Sequence, residues 1–249
     1  MSGDLSLCAV IPVFNHSEWL STIIDQFKRN DIAVIIVDDG SDASCRILID
    51  ALVEKNRCIR LERHEINQGK GAAIKTALRV ALEQGFTHAL QVDADGQHAL
   101  DDISKFVTAM EKNPKSLIAG YPCYDDSIPR HRYYGRYASH IWVWINTLSC
   151  SIIDSMCGFR IYPLAQSVEL ISREKMGNRM DFDGEFIVRW FWTGQPIEQI
   201  STRVIYPPDG VSHFRLFSDN RLIAWMHTRL FFGMLLRLPR LLKRMWASQ

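Results

Sequence analysis

The sequence predicts an α/β fold in which a mostly parallel central sheet is flanked by helices. Over residues 7–122, short apolar runs alternate with longer segments whose apolar residues have helical spacing. Strands that read as unbroken apolar runs are typical of parallel sheets covered on both faces. Polar residues cluster directly after these runs, and such folds bind ligands at the carboxyl ends of parallel strands. The pattern therefore predicts one ligand site at one edge of the sheet.

Five strands are predicted in the first half of the chain, at residues 7–14, 32–40, 58–64, 87–96 and 116–122. Helices fill the segments between them, with Ser17 as a candidate cap for the first and Ser41 or Asp42 for the second. The second half is less regular. Helices are predicted there over residues 130–152 and 181–194, and a strand over residues 197–207.

The composition bounds the class of protein. The chain has 249 residues, of which 47% are hydrophobic and 23% are charged, as in an ordinary globular domain. A formal net charge of +1 provides no field that would attract nucleic acid, so no nucleic-acid partner is predicted. We expect no signal peptide and no membrane-spanning helix, because the required long apolar runs are absent from the sequence.

The segment DADGQH follows the fourth predicted strand. Two carboxylates one residue apart repel each other, and a bound cation relieves that repulsion. Asp95 is predicted to ligate Mg²⁺ or Mn²⁺, with Asp93 and Gln97 in or next to the first coordination shell. His98 is either a nitrogen ligand or a hydrogen-bond donor behind the site. A solvated turn before a helix is the alternative, and an EF-hand is excluded because Ser104 stands where its glutamate is required.

Two further motifs lie at strand ends. In VDDGS, Asp38 and Asp39 can accept hydrogen bonds from a ribose or a base, although a simple turn is an equal alternative. In NQGKG, Gly69 allows close approach of the backbone to a phosphate, and Lys70 supplies positive charge at a helix start. The motif is not a Walker A loop, because Gly71 follows the lysine.

The second half adds two candidate groups. Arg160, in DSMCGFR, is a candidate for contacting a phosphate. Asp183 and Glu185, in MDFDGEF, lie near the start of a predicted helix, where a carboxylate can act as a general base. The alternative for these two is favourable charge in the first turn of a helix.

Together, the motifs IPVFN, VDDGS, NQGKG, DADGQH, DSMCGFR and FDGEFIVRWFWTG resemble a family 2 glycosyltransferase with the GT-A fold. The nearest likeness is to the dolichyl- or polyprenyl-phosphate sugar transferases. The resemblance implies a GT-A domain over residues 1–215, with a nucleotide-sugar-binding half (1–122) and an acceptor half (123–215). A basic amphipathic helical tail would follow over residues 216–249.

The resemblance also implies a role for each matching residue. Those expected to bind the nucleotide sugar are Pro12, Asn15, Asp38, Asp39, Gly69, Lys70, Asp93 and Arg160. Asp93, Asp95 and Gln97 would surround Mg²⁺ or Mn²⁺, and Asp95 and Asp183 would be the catalytic residues. A lipid phosphate acceptor is already ionised and needs no strong base, so with that acceptor Asp183 would position it.

The implied reaction is an inverting transfer of a sugar from a UDP- or GDP-sugar to a lipid or lipid-linked acceptor. Either Arg203 or Arg215 is a further candidate for contacting the phosphates. One alternative is a nucleotidyltransferase, but the glycine-rich loop expected after the first strand is replaced by PVFNHSEWL. The other alternative is a non-catalytic membrane-bound protein that keeps the fold. The intact DADGQH motif and Asp183 argue against it.

The C-terminal segment predicts contact with a membrane. If residues 228–246 are helical, five basic residues fall within an arc of about 120° and apolar residues fill most of the remainder. These are Arg229, Arg237, Arg240, Lys243 and Arg244. With no acid after residue 219, the pattern favours a helix in the interface of a cytoplasmic membrane. The alternative is a core-packing or oligomer-forming helix with solvated arginines.

Overall fold

The computed structural model describes residues 5–56, 58–123, 130–204 and 216–247. The strands are β1 (Leu7–Val13), β2 (Ala33–Asp39), β3 (Ile59–His64), β4 (His88–Gln91), β5 (Leu117–Cys123), β6 (Arg160–Pro163) and β7 (Ile197–Arg203). The helices are α1 (Leu20–Arg29), α2 (Ala43–Lys55), α3 (Lys70–Glu83), α4 (Ile103–Lys112), α5 (Arg130–Thr147), α6 (Leu164–Arg173), α7 (Phe182–Thr193) and α8 (Leu216–Ala247). A short 3₁₀ turn, Leu100–Asp102, precedes α4.

The seven strands form one sheet in the order β3-β2-β1-β4-β6-β5-β7. All pairs are parallel except those made by β6, which runs antiparallel to both β4 and β5. Apolar side chains of α1, α2 and α4 pack on one face, and those of α3 and α5–α8 pack on the other. The predicted α/β architecture with a mostly parallel, doubly covered sheet is confirmed.

The chain reverses its direction across the sheet at β1. It runs outward from β1 to β2 and β3, and then returns to place β4 on the other side of β1. The carboxyl ends of β1 and β4 therefore flank the switch point where open α/β sheets bind ligands. β4 ends at Gln91, five residues earlier than the prediction of 87–96, so Asp93 and Asp95 lie in the turn beyond the strand.

The helix caps were predicted with mixed success. Asp42 caps α2 as predicted, because its carboxylate accepts a hydrogen bond of 2.9 Å from the backbone N–H of Cys45. Ser17 does not cap α1, which begins at Leu20 after Trp19 and has no side-chain cap.

The arginines of the predicted basic face of α8 are bound to the body of the protein, although Arg240 and Lys243 remain exposed. Arg229 donates to Glu185 at 2.9 Å, and Arg237 donates to Glu174 at 2.9 Å. Arg240 and Arg244 donate to backbone carbonyls at the end of α7, at 3.3 Å and 2.7 Å. The acids and carbonyls that accept hydrogen bonds from these arginines lie 44 to 63 residues away in the sequence, so the pattern of the tail alone could not reveal them.

The exposed face of α8 is instead largely apolar. Leu236 is 84% exposed, Trp246 75% and Phe232 62%, and Trp225 and Leu235 are exposed beside them. Other apolar residues of α8 are buried against the body of the protein, namely Met226, Leu230, Met234 and Leu241. Within the described residues, no helix is long and apolar enough to cross a membrane. The helix is thus an integral part of the fold that presents an apolar surface to solvent.

Candidate active site

Asp39, at the end of β2, holds the NQGKG loop in place. Its carboxylate accepts hydrogen bonds from the backbone N–H groups of Gln68 (2.9 Å) and Gly69 (2.7 Å) and pairs with His64 Nδ1 at 2.7 Å. Gly69 has φ +106°, and a Cβ there would lie 2.4 Å from the carbonyl oxygen of Asn178, so only glycine fits. The buried carboxylate is therefore committed to the loop. It shapes the edge of the pocket, and its contact with a nucleoside stays a prediction.

Asp38 is completely buried and has a similar structural role. It accepts a hydrogen bond of 2.9 Å from the backbone of Ser41 and forms ion pairs with Arg63 and Arg46 at 3.3 Å and 3.7 Å. Its position does not support the prediction that it contacts a nucleoside. Sequence reasoning could not anticipate this, because Arg63 comes from the neighbouring strand β3.

Asn15 and Pro12 remain at the open edge. Asn15 is exposed in a left-handed conformation (φ +52°), and its side-chain oxygen accepts a hydrogen bond of 2.8 Å from the backbone of Asp42. Its own N–H donates to Ser41 Oγ at 3.0 Å, so the loops after β1 and β2 are joined beside the switch point. Pro12 is partly buried on β1.

Lys70 joins the two halves of the site. Its ammonium group lies 2.8 Å from a carboxylate oxygen of Asp93 and 3.0 Å from one of Asp183. Asp93 follows β4, Lys70 begins α3 and Asp183 lies in the first turn of α7, so three separate elements converge on one point. His98 adds a fourth group, with Nε2 3.5 Å from the same oxygen of Asp93. His98 therefore lies beside Asp93 without a hydrogen bond from either ring nitrogen among the described residues, and its role as a metal ligand or as a donor stays a prediction.

The electrostatics follow from this convergence. Burial alone would lower the pKa of Lys70, but the attraction of Asp183 and Asp93 outweighs it and raises that pKa above its usual value. Burial alone would raise the pKa of Asp93, but attraction to Lys70, assisted by His98, holds it well below its usual range. Both groups are therefore charged at neutral pH.

Gln91 and Tyr162 support these carboxylates and were missed by the sequence analysis. Gln91 is completely buried and directs Nε2 towards Asp93 (3.4 Å) and Asp183 (3.5 Å). Tyr162, on the adjacent strand β6, donates a hydrogen bond of 2.7 Å to Gln91 Oε1. The available signal was a glutamine inside the otherwise apolar run HALQV, since a buried amide requires partners.

Arg160 lies beneath the site, contrary to the prediction that it contacts a phosphate. It is completely buried, and its guanidinium donates to the backbone carbonyls of Cys157 (2.8 Å), Asp183 (2.7 Å) and Ser155 (2.6 Å). It thereby ties the segment before β6 to the start of α7. From the sequence, a charged residue in a loop was expected to be free to bind a ligand. In the structure, its guanidinium donors are used by these three carbonyls.

Asp95 and Gln97 lie in the turn beside Asp93. Asp95 accepts a hydrogen bond of 3.0 Å from the backbone N–H of Gln97 and is only partly buried. Among the described residues, no group of three or more His, Cys, Asp or Glu side chains could hold a metal. Mg²⁺ and Mn²⁺ need only one or two protein carboxylates when a phosphate supplies other ligands. The donors present fit such an ion.

Comparison with known sequences decides the family. Residues 8–174 match the sequence model described as Glycosyl transferase family 2, about two thirds of the chain. The chain belongs to this family. Membership supports a glycosyltransferase over both alternatives, the nucleotidyltransferase and the non-catalytic protein.

Three relatives of this glycosyltransferase are informative. It is 25% identical to an uncharacterised protein of Methanocaldococcus jannaschii, covering 83% of the chain and 91% of the relative. It is 30% identical to a UDP-N-acetylglucosamine–dolichyl-phosphate N-acetylglucosaminyltransferase of Methanococcus voltae, covering 47% of the chain and 52% of the relative. It is 28% identical to a dolichyl-phosphate β-glucosyltransferase of Dictyostelium discoideum, covering 64% and 54%. The chain thus spans about half the length of the two relatives with a named activity.

Solved structures confirm the GT-A fold of this glycosyltransferase. A mannosyltransferase from Pyrobaculum calidifontis, in complex with GDP-Man and Mn²⁺, matches 95% of the chain and 65% of its own length, with a TM-score of 0.57 and 15% identity. S. aureus TarS 1–349 in complex with UDP matches 94% of the chain and 71% of its own length, with a TM-score of 0.58 and 15% identity.

Two arginines predicted to contact the phosphates are not among the residues that meet at Lys70. Arg203 is exposed at the end of β7, and its backbone N–H donates to Asp102 at 3.4 Å. Arg215 lies outside the described residues.

Proposed function

We propose that the protein transfers a sugar, with inversion, from a UDP- or GDP-sugar to a lipid phosphate at the cytoplasmic surface of a membrane. The observation that carries this proposal is the convergence of Asp93, Lys70 and Asp183 beyond the sheet's switch point, with Asp95 and Gln97 beside it. The site thus combines the ammonium group of Lys70, which can bind an anionic diphosphate, with carboxylates that can ligate a metal ion. The named activities of the dolichyl-phosphate transferases are consistent with such an acceptor.

Asp95 and Gln97 would hold Mg²⁺ or Mn²⁺, with Asp93 next to it. When bound there, the ion would neutralise charge that develops on the leaving diphosphate. Lys70 would contribute in the same way, because a diphosphate entering the crevice competes with Asp93 and Asp183 for its ammonium group. The backbone at Gly69 would allow the phosphates to approach closely.

Asp183 is better suited to positioning than to proton abstraction. Its carboxylate is engaged by Lys70 at 3.0 Å and approached by the Gln91 amide at 3.5 Å. A hydroxyl acceptor needs a group that takes its proton, whereas a lipid phosphate is already ionised. The occupied carboxylate therefore favours the phosphate acceptor, and Arg160 and Gln91 would keep Asp183 in place.

Membrane attachment would use the apolar face of α8. Phe232, Leu235 and Leu236 lie at its centre, with Trp225 and Trp246 towards its two ends. Tryptophan is enriched at membrane–water interfaces, where its ring is apolar and its N–H can reach water. Lys243 is also exposed on this helix and can approach anionic headgroups.

The activity is tested with a panel of UDP- and GDP-sugars, polyprenyl phosphate and Mg²⁺ or Mn²⁺, by extraction of the labelled lipid product. We expect transfer from at least one donor, and its loss on addition of EDTA. Asp95→Asn should reduce transfer by about 100-fold or more. Its melting temperature should be unchanged, because asparagine can still accept the hydrogen bond from Gln97. Asp101→Asn, at an exposed acid nearby, is the matched control. Full activity in Asp95→Asn, or in EDTA, would contradict the metal assignment.

Membrane attachment is tested by co-sedimentation with vesicles of phosphatidylcholine, with and without phosphatidylglycerol. Leu236→Glu should weaken binding by about tenfold or more, since burial of a leucine contributes roughly 1.5–3 kcal/mol. Thr108→Glu, at an exposed position of α4 on the opposite side of the sheet, should bind normally. Deleting α8 is unsuitable, because Met226, Leu230 and Met234 are part of the core. Equal binding by both variants would refute the role of this face.

A further inference from the structure

The α6–α7 segment, residues 174–181, lies against the NQGKG loop. The backbone N–H of Ala72 donates to the Asn178 carbonyl at 2.9 Å. The Lys75 ammonium group donates to the Asn178 side-chain oxygen at 2.8 Å and to the Met176 carbonyl at 2.9 Å. Both donors belong to the first two turns of α3. The segment is therefore fixed against the start of the helix where the ammonium group of the site lies.

Buried acids hold the rest of the α6–α7 segment. Glu185 accepts a hydrogen bond of 2.8 Å from the backbone N–H of Gly177, and Asp181 accepts one of 3.1 Å from the backbone N–H of Arg179. Both acids are buried, and both pair with Arg229 of α8, at 2.9 Å and 3.7 Å. The backbone that carries Arg179 is thus held in place before any ligand binds.

Arg179 extends from this backbone across the NQGKG loop. A Cβ built on Gly69 would lie 2.6 Å from Arg179 Cγ, so the stem of the arginine contacts the glycine. The side chain is exposed, and its guanidinium makes one long hydrogen bond, of 3.4 Å, to Asn67 Oδ1. No carboxylate among the described residues pairs with this guanidinium. Three other arginines beside the segment each pair with a carboxylate, namely Arg189, Arg229 and Arg237.

The charges of the site favour a further cation at this loop. Three carboxylates lie there, those of Asp93, Asp95 and Asp183. Lys70 supplies one positive charge, and two of these carboxylates already hold its ammonium group. A divalent metal ion would balance the remaining charge, but the diphosphate of a nucleotide sugar would bring about two more negative charges. Arginine suits such a group, because its guanidinium can donate two parallel hydrogen bonds to a phosphate.

We propose that Arg179 binds the diphosphate of the nucleotide sugar at the NQGKG loop, together with Lys70. This inference rests on the proposed nucleotide-sugar donor, and it adds a binding residue that the sequence analysis did not single out. The residue comes from the half of the chain that was expected to bind the acceptor. A leaving diphosphate gains negative charge, so the same contact would also favour transfer.

The test is calorimetric titration of the whole protein with UDP and GDP in the presence of Mn²⁺. Arg179→Met should weaken the preferred nucleotide by about tenfold or more, because a charge-assisted contact is lost. Arg179→Lys, which keeps the charge, should lose less. Both variants should melt at the wild-type temperature, because the exposed side chain has only the contact of 3.4 Å to Asn67. Lys175→Met, which removes another exposed cation of the segment, should bind within about twofold of wild type.

The salt dependence separates a direct charge contact from an indirect effect on the shape of the loop. The difference in nucleotide affinity between wild type and Arg179→Met should shrink as NaCl rises from about 0.05 M to about 0.5 M, because screening weakens the contact in the wild type. A difference that does not change with salt would overturn the inference.

Unchanged nucleotide affinity in Arg179→Met, or no binding of UDP or GDP by the wild type, would also overturn it. Sugar transfer is measured in parallel. Absence of transfer from every donor, with nucleotide binding that depends on Arg179, overturns the proposed function and supports the inference. Transfer by the wild type, with nucleotide binding insensitive to Arg179, overturns the inference alone.

Discussion

Replacing Lys70 with methionine should destabilise the fold, because the substitution keeps the apolar stem and removes the charge between Asp93 and Asp183. The ammonium group lies 2.8 Å and 3.0 Å from these carboxylates. At an effective dielectric constant of about 20, each contact has a gross attraction of roughly 5–6 kcal/mol. Desolvation offsets most of that. Removing one partner of a fully buried pair costs about 3–5 kcal/mol, since it leaves an uncompensated charge, and the partial exposure of Lys70 and Asp93 places the expected cost at the lower end.

Chemical denaturation of wild type and Lys70→Met measures the decrease in the free energy of unfolding directly. A cost of about 3 kcal/mol corresponds to a decrease in melting temperature of roughly 6–12 °C for a chain of this size. Arg173→Met is the matched control, because Arg173 pairs with Glu169 at the surface and should change stability by less than about 1 kcal/mol. Adding Asp183→Asn to Lys70→Met should recover part of the loss.

The acid dependence provides a second measurement on the same variant. The pKa of Asp93 in the fold lies below its ordinary value of 3.8, so its ion pair stabilises the protein above that pH. The stabilisation is lost as the pH falls further, because the unfolded chain takes up the proton first. Lys70→Met should therefore lose less stability on acidification than wild type. Equal stability and equal acid profiles in the two proteins would refute the reasoning.

Three further predictions concern residues after position 122. In Gly158→Ala, the new Cβ would lie 2.6 Å from an Asp93 oxygen, and the displaced carboxylate should lower kcat/KM by about 100-fold; unchanged kinetics would contradict this. Arg229→Met should lower the free energy of unfolding by about 1–3 kcal/mol, because Glu185 is completely buried and loses a 2.9 Å contact; chemical denaturation with no change would exclude that contact as a source of stability. Because the pKa of His227 falls from 6.5 to about 4 on folding, stability should decline by up to ~3 kcal/mol as the pH falls from 6.5 to 4. His227→Phe should reduce that decline, and an identical pH profile would argue against it.

Much of the fold and part of the site could be read from the sequence. The alternation of apolar runs and helical segments predicted the parallel sheet. Placing DADGQH after the fourth strand and NQGKG before a helix predicted that Asp93 and Lys70 share one edge, and their contact is 2.8 Å. The predictions were wrong where a polar residue near a strand end was assumed to be free to contact a ligand. Arg160 and Asp38 both appeared able to reach a ligand, and both are buried against other parts of the chain.

The sequence by itself determined the order of strands and helices over residues 7–122 and the polar residues at their ends, because the spacing of apolar residues and the turn-forming residues are local properties of the chain. It did not predict β6 and α6 in the second half. Only the tertiary structure decided what each charge is paired with. Arg229 pairs with Glu185, 44 residues away in the sequence, and Arg237 pairs with Glu174, 63 residues away, so part of the expected outward basic face of α8 is bound to the body of the protein. A buried charge must find an opposite charge or a carbonyl wherever the fold supplies one. That partner depends on packing between distant elements, and no local pattern contains it.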